Sequence, residues 1–154
     1  METDAFSASK HFAEVGDARV AYVDEGSGPP VLLLHGCPFS SFVWRKVIPA
    51  LSSAHRCVAP DLLGLGDTEA PAWADWSLPA QETMVLGLLD ALELEKVSVV
   101  GHDQGGALAQ MLAAATPAAS TAWSCATPRP TTTGPRPTSV PSSPSPACPA
   151  WARW

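Results

Sequence analysis

Three short apolar runs constrain this chain more than any other feature. Val31-Leu32-Leu33-Leu34, Arg56-Cys57-Val58-Ala59-Pro60 and Val97-Ser98-Val99-Val100 show no sustained polar alternation, and each leads into a glycine-bearing polar loop. Such runs suit strands buried on both faces, the pattern of a parallel sheet. Helical patterns lie between and after them. Residues 78–94 predict a helix with Met84, Val85, Leu88, Leu89 and Leu92 at core-facing spacing, Pro79 in the first turn and Ser77 as its cap. Residues 42–51 predict a shorter helix, with Trp44, Val47 and Ile48 on one side. Residues 107–115 predict a third, with Leu108, Met111 and Leu112 inward and Thr116-Pro117 as the stop. Ahead of the first run, residues 12–15 and 19–23 flank Gly16-Asp17 and read as a hairpin. The expected class is α/β: a hairpin, then parallel strands joined by right-handed crossover helices. Chemistry in such sheets gathers at the carboxyl ends of the strands. Here those ends open into loops at His35, Asp61 and Gly101.

Gly101-His102-Asp103-Gln104-Gly105 has the frame Gly-x-nucleophile-x-Gly, placed between a strand and a helix. That frame makes a sharp turn that lifts one side chain over the sheet edge, and its glycines avoid collisions with the neighbouring strand and helix. Asp103 stands at the nucleophile position. A carboxylate is already ionised at neutral pH and attacks without a base. It displaces a leaving group from sp³ carbon to form an alkyl ester, which water activated by a His then hydrolyses. An isolated Asp would read as a helix cap; this frame favours the nucleophile. His102 and His35 read as structural, His35 bracing its loop. Asp61 reads as an acceptor for backbone amides of its own glycine-rich loop. Trp44, Trp73 and Trp76 read as core or rim residues, and His11 and His55 carry no signal. No basic partner for the Cys37 thiol is visible, so Cys37 reads as a backbone donor.

Taken together, Val31-Leu32-Leu33-Leu34-His35-Gly36-Cys37-Pro38, Ala59-Pro60-Asp61-Leu62-Leu63-Gly64-Leu65-Gly66-Asp67 and Val99-Val100-Gly101-His102-Asp103-Gln104-Gly105-Gly106 resemble, in order and spacing, the α/β-hydrolase fold superfamily. Within it the chain is most similar to the haloalkane dehalogenases and epoxide hydrolases, which use an Asp nucleophile. The resemblance covers residues 31–117. It implies Asp103 as the catalytic nucleophile and an anion pocket formed by the backbone N–H groups of Cys37 and Gln104, where a helix end favours negative charge. His35, Gly36, His102, Gly101 and Gly105 would support that pocket. It also implies a small haloalkane-like or epoxide-like substrate. No metal and no cofactor are expected. Cys37 stands where dehalogenases commonly carry Asn, and Gln104 where dehalogenases and many epoxide hydrolases carry Trp.

The composition breaks near Pro117. All 15 acidic residues lie at or before Asp103, and residues 118–154 hold 8 of the 16 prolines and no Leu, Ile, Phe or Lys. This divides the chain into a partial α/β-hydrolase domain, 1–117, and a Pro/Thr/Ser-rich tail, 118–154, expected to be irregular and without a packed core. In the superfamily the water-activating His and its acid come after the nucleophile, yet no His, Asp or Glu follows Asp103. The sequence thus predicts the N-terminal part of a hydrolase, truncated and without turnover. The tail reads as the product of a reading-frame shift or as a disordered segment. Read from the third base of each codon, residues 119–125 can encode Arg-Val-Asp-Gly-Leu-Val-Leu, a polar lead into an apolar strand. Truncation would leave residues 97–100 as an open sheet edge available for self-association. The alternatives are a non-enzymatic, partner-binding fragment and an enzyme completed by a second chain.

The net charge of −6 argues against a nucleic-acid binder. No apolar run approaches the roughly 20 residues of a membrane helix. The acidic start, Met1-Glu2-Thr3-Asp4, lacks the features of a secretory leader. Cys37, Cys57, Cys125 and Cys148 follow no metal or disulfide spacing and read as free thiols. The expectation is a cytoplasmic protein that meets a small molecule, with neither nucleic acid nor membrane as partner.

Overall fold

The computed structural model describes residues 6–115 and the backbone of residues 120–125. β1 (His11–Val15) and β2 (Ala18–Glu25) form the antiparallel hairpin. The three apolar runs become β3 (Pro30–Leu34), β4 (Arg56–Pro60) and β5 (Val97–His102). A 3-10 turn (Ser41–Trp44) and α1 (Ile48–Leu51) lie between β3 and β4. α2 (Leu78–Ala91) joins β4 to β5, α3 (Gln104–Ala115) follows β5, and β6 (Ser120–Cys125) comes last. The sheet order is β1-β2-β4-β3-β5-β6, parallel from β4 to β6.

From β3 the chain turns toward β4, and from β5 it turns the other way toward β6. Right-handed crossovers that run in opposite directions must lie on opposite faces of the sheet. The packing follows this rule. Leu32 and Leu34 join Met84, Val85, Leu88, Leu108 and Leu112 in one core, under α2 and α3. Val31 and Leu33 join Phe6, Trp44 and Ile48 in another, under α1. Alternate residues of β3 thus feed two separate cores, which is why its sequence never alternates with polar residues. The diverging connections leave a crevice at the carboxyl ends of β3 and β5.

Besides α3 starting at Gln104 rather than 107, four details differ from the sequence reading. The helix predicted over 42–51 is split into the 3-10 turn and α1. Pro49 explains the break: it has no N–H to give Arg45 O, and its ring would collide with that carbonyl. α2 stops at Ala91 rather than 94, because Glu93 takes a left-handed φ of 55° and Leu94 N–H closes back onto Leu89 O at 2.9 Å. Ser77 occupies the N-cap position of α2 but makes no cap bond; its hydroxyl donates to Asp75 Oδ2 at 2.8 Å. The fourth difference corrects the expected open edge. β6 pairs in parallel with β5, from Val97↔Ser120 to His102↔Cys125, so β5 is an interior strand and the 118–154 segment is not irregular throughout. A ladder satisfies backbone N–H and C=O groups whatever side chains they carry, so a run without Leu or Ile can supply it. Thr121 and Trp123 also favour extended backbone. The reading of residues 126–154 as a frame-shifted or disordered tail lies outside the described residues.

Among the described residues no helix is long and apolar enough to cross a membrane, and no group of three His, Cys, Asp or Glu side chains could hold a metal ion.

Candidate active site

One residue makes the strand-to-helix bend. β5 ends at His102, α3 begins at Gln104, and Asp103 between them has φ 55°. A non-glycine residue in that region costs about 1–3 kcal/mol, and Asp is among the side chains that tolerate it. The flanking glycines make the bend possible. A Cβ on Gly101 would strike the Gly105 carbonyl, and one on Gly105 would strike the carbonyls of Leu34 and His35. The first turn of α3 therefore lies directly against the backbone at the end of β3.

That contact brings the elbow to the loop after β3. Asp103 Oδ1 accepts from the backbone N–H of Gln104 at 2.7 Å and from that of Cys37 at 3.3 Å. The carboxylate is exposed and makes both bonds through Oδ1, leaving the lone pairs of Oδ2 available. Gly36 admits the carboxylate: a Cβ there would lie 2.8 Å from Oδ1 and closer still to the Asp103 Cβ. The two predicted pocket amides thus converge on the predicted nucleophile.

The Cys37 amide is aimed from behind. His35 is fully buried. Its Nε2 accepts from Leu62 N–H at 3.0 Å, which assigns the proton to Nδ1, and Nδ1 donates to Gly36 O at 2.9 Å. Phe39 N–H donates to the same oxygen at 3.0 Å. Gly36 O and Cys37 N–H belong to one planar peptide and point in opposite directions. Fixing the carbonyl therefore directs the N–H at Asp103. Burial pushes the His35 pKa below its ordinary 6.5, which keeps the ring neutral in this role.

Asp61 is fully buried and has the structural role its loop position implied. Oδ1 accepts from Ser41 N–H at 2.8 Å, and Oδ2 accepts from Asp67 N–H at 2.7 Å. Oδ2 also meets Lys10 Nζ at 2.6 Å, and the same ammonium lies 2.6 Å from Asp67 Oδ2. That ion pair holds the Asp67 carboxyl below its ordinary range. Sequence reasoning missed Lys10, which sits at a strand edge with no periodic signal. It also missed Gln81, whose Oε1 accepts from Leu63 N–H at 2.8 Å and whose Nε2 donates to Leu63 O at 3.0 Å. A usable signal existed there, because Gln81 falls in line with Met84, Val85 and Leu88 on the buried stripe of α2.

The other candidates are less engaged. The Cys37 thiol is exposed and the Gln104 side chain half-buried. His102 is half-buried, and its Nδ1 finds no partner among the described residues. Trp44 is core, whereas Trp73 and Trp76 are exposed, Trp76 lying over Gly64. Cys57 is unpaired and buried, which raises its thiol pKa. No histidine nitrogen is hydrogen-bonded to Asp103 among the described residues: His35 is committed at both nitrogens, and His55 Nδ1 lies 3.3 Å from Pro29 O.

Comparison with known proteins bears on the family of the chain. The profile of the alpha/beta hydrolase fold family matches residues 29–141. A soluble epoxide hydrolase of Corynebacterium sp. (strain C12) is 46% identical over 99 residues, covering 64% of this chain and 34% of that protein. Haloalkane dehalogenase 2 of Mycobacterium tuberculosis is 41% identical over 95 residues, covering 62% of this chain and 33% of that protein. The crystal structure of an epoxide hydrolase from Vigna radiata superposes with a TM-score of 0.67 at 37% identity, over 70% of this chain and 36% of that one. The chain spans about a third of the length of these relatives. With the fold, the elbow and the family match in agreement, this chain belongs to the α/β-hydrolase fold family.

Proposed function

We propose that this chain carries the nucleophilic half of a hydrolase that works through an aspartyl ester on a small haloalkane-like or epoxide-like substrate. The observation that carries the reading is the pair of N–H donors on Asp103 Oδ1, with Oδ2 left to attack. In that step an Oδ2 lone pair forms a bond to an sp³ carbon of the substrate. The bond from that carbon to halide, or to the epoxide oxygen, breaks and its electrons leave with the departing atom. Oδ1 becomes the carbonyl oxygen of the ester. Water attacking Cγ later would turn Oδ1 into an oxyanion, already facing both amides.

The second half requires a His to activate that water. Residues 104–154 contain no His, Asp or Glu, and His35 is committed elsewhere. The chain as it stands therefore forms the ester and keeps it. The domain division at Pro117 and the frame-shifted origin of the tail remain part of this proposal, and the nucleotide sequence after the Pro117 codon tests them. An early stop, or no apolar strand in the alternative frame, removes the frame shift.

The chemistry is tested by incubating the full chain with a small terminal epoxide or a short bromoalkane and recording intact mass. The expected result is one adduct per chain with a single halide released from the bromoalkane, and no adduct with Asp103→Asn. Repeated turnover or an unmodified wild-type chain overturns it.

A further inference from the structure

We propose that Lys10, far from the chemistry in sequence, is a positioning residue for the anion pocket, acting through the buried carboxylate of Asp61 on the peptide that carries the Cys37 N–H. The consequence for ester formation rests on the reading of Asp103 as nucleophile; the effect on the pocket amide does not.

Lys10 is held as few lysines are. Its side chain is 2% exposed, and Nζ lies 2.6 Å from both Asp61 Oδ2 and Asp67 Oδ2. The segment before it is fastened to the body of the domain. Phe6 is 2% exposed and meets the Phe42 ring edge-on at 5.3 Å, and Ser7 Oγ donates to Asp67 Oδ2 at 3.0 Å. Burying an ammonium and a carboxylate is costly unless each finds partners. Here the return is geometric, because Asp61 and the residue after it are tied by two routes to the segment 35–41, which carries the Cys37 N–H.

The first route runs along the carboxylate. Asp61 Oδ1 accepts from Ser41 N–H at 2.8 Å and so anchors the far end of the loop that starts at Cys37. The second runs along the backbone. Leu62, the next residue, donates its N–H to His35 Nε2, and His35 Nδ1 donates to Gly36 O. Both routes end on the segment whose N–H reaches Asp103 Oδ1 at 3.3 Å. The other pocket donor, Gln104 N–H, is set by the elbow and α3, and among the described residues no hydrogen bond ties it to these routes except through the Oδ1 it shares with Cys37. Lys10 therefore acts on one half of the pocket more than on the other, a distinction that separates positioning from general support.

The test uses the full chain, isotopically labelled, as wild type, Lys10→Met, Asp61→Asn and the double variant. The amide resonances of Cys37, Ser41 and Gln104 are read beside the rate at which a small terminal epoxide alkylates Asp103. With Lys10→Met the Cys37 and Ser41 amides move clearly more than Gln104, which feels the change only through the shared Oδ1, and alkylation slows about tenfold or more, since misplacing a reacting group by around an ångström costs up to about a hundredfold. If Lys10→Met does not fold, the neutral background carries the test. Adding Lys10→Met to Asp61→Asn then changes neither the Cys37 amide nor the alkylation rate further, because the partner it acts through is gone. Equal displacement of Cys37 and Gln104, no displacement of Cys37, or a further loss in the Asp61→Asn background overturns the inference. An unreactive wild type overturns the proposed function instead and leaves the amide readout standing.

Discussion

The two backbone amides that meet Asp103 Oδ1 are held in opposite ways. The Gln104 amide belongs to an elbow fixed by its immediate neighbours: one left-handed residue and two glycines pressed against backbone. The Cys37 amide belongs to a loop fixed from a distance, by Leu62 through His35, by Asp61 through Ser41, and by Lys10 behind Asp61. The elbow gives Asp103 Oδ1 the shorter bond, 2.7 Å against 3.3 Å. A locally determined half is set once the backbone folds. A remotely determined half depends on a chain of polar contacts, each of which can be cut or titrated.

This contrast can be broken first at the elbow. Gly105→Ala puts a methyl group into the carbonyls of Leu34 and His35, backbone atoms on both sides that cannot swing away. The expected cost is about 3 kcal/mol or more, read as a fall in the denaturation midpoint with both pocket amides lost together. On the loop side, His35→Ala orphans Leu62 N–H and leaves Gly36 O with Phe39 N–H alone. Its cost is about 2–3 kcal/mol. A hydrogen-exchange measurement should show the Cys37 amide deprotected while Gln104 keeps its wild-type protection.

The loop half should also respond to pH. His35 is held neutral by burial, with its pKa below the ordinary 6.5. Below that value the unfolded chain binds a proton that the folded one refuses, so stability is complete above pH 6.5 and declines as the pH falls toward the lowered value. The slope from this one proton is at most about 1.4 kcal/mol per pH unit. Asp67, with its carboxyl held below the ordinary 3.8, acts in the same direction but only in more acidic solution. Denaturant melts at stepped pH separate the two, and His35→Gln should remove the upper limb alone. The smallest effect has the opposite sign. Asp103→Gly relieves the left-handed strain at φ 55° but gives up the carboxylate's bonds to Cys37 and Gln104 N–H, so the net gain should stay below about 1 kcal/mol while the adduct is abolished.

The same contrast explains what could be read from the sequence. The parallel strands were legible because burying both faces of β3 removes polar alternation, and the elbow because its constraints lie within five consecutive residues. Gln104 followed as the residue after Asp103, whereas the pocket roles of Gly36 and Cys37 came from the resemblance to the α/β-hydrolase superfamily. Lys10 was not legible, because nothing near it signals that it will meet a buried carboxylate 51 positions away. Gln81 was partly legible as the polar member of an apolar stripe. β6 was missed because a parallel ladder is satisfied by backbone, and Ser120–Cys125 carries no apolar run to announce it. The split helix over 42–51 needed only Pro49 to be weighed against the apolar spacing around it.

Peptide-resolved mass spectrometry of the chain after exposure to a small terminal epoxide tests the central claim most directly. Cys37 meets Asp103 through its backbone N–H, and its exposed thiol is the competing nucleophile to exclude. The account predicts a single alkyl group on Asp103, retained when Cys37 is replaced by Ser and absent in Asp103→Asn. Alkylation of Cys37 with Asp103 untouched would contradict it.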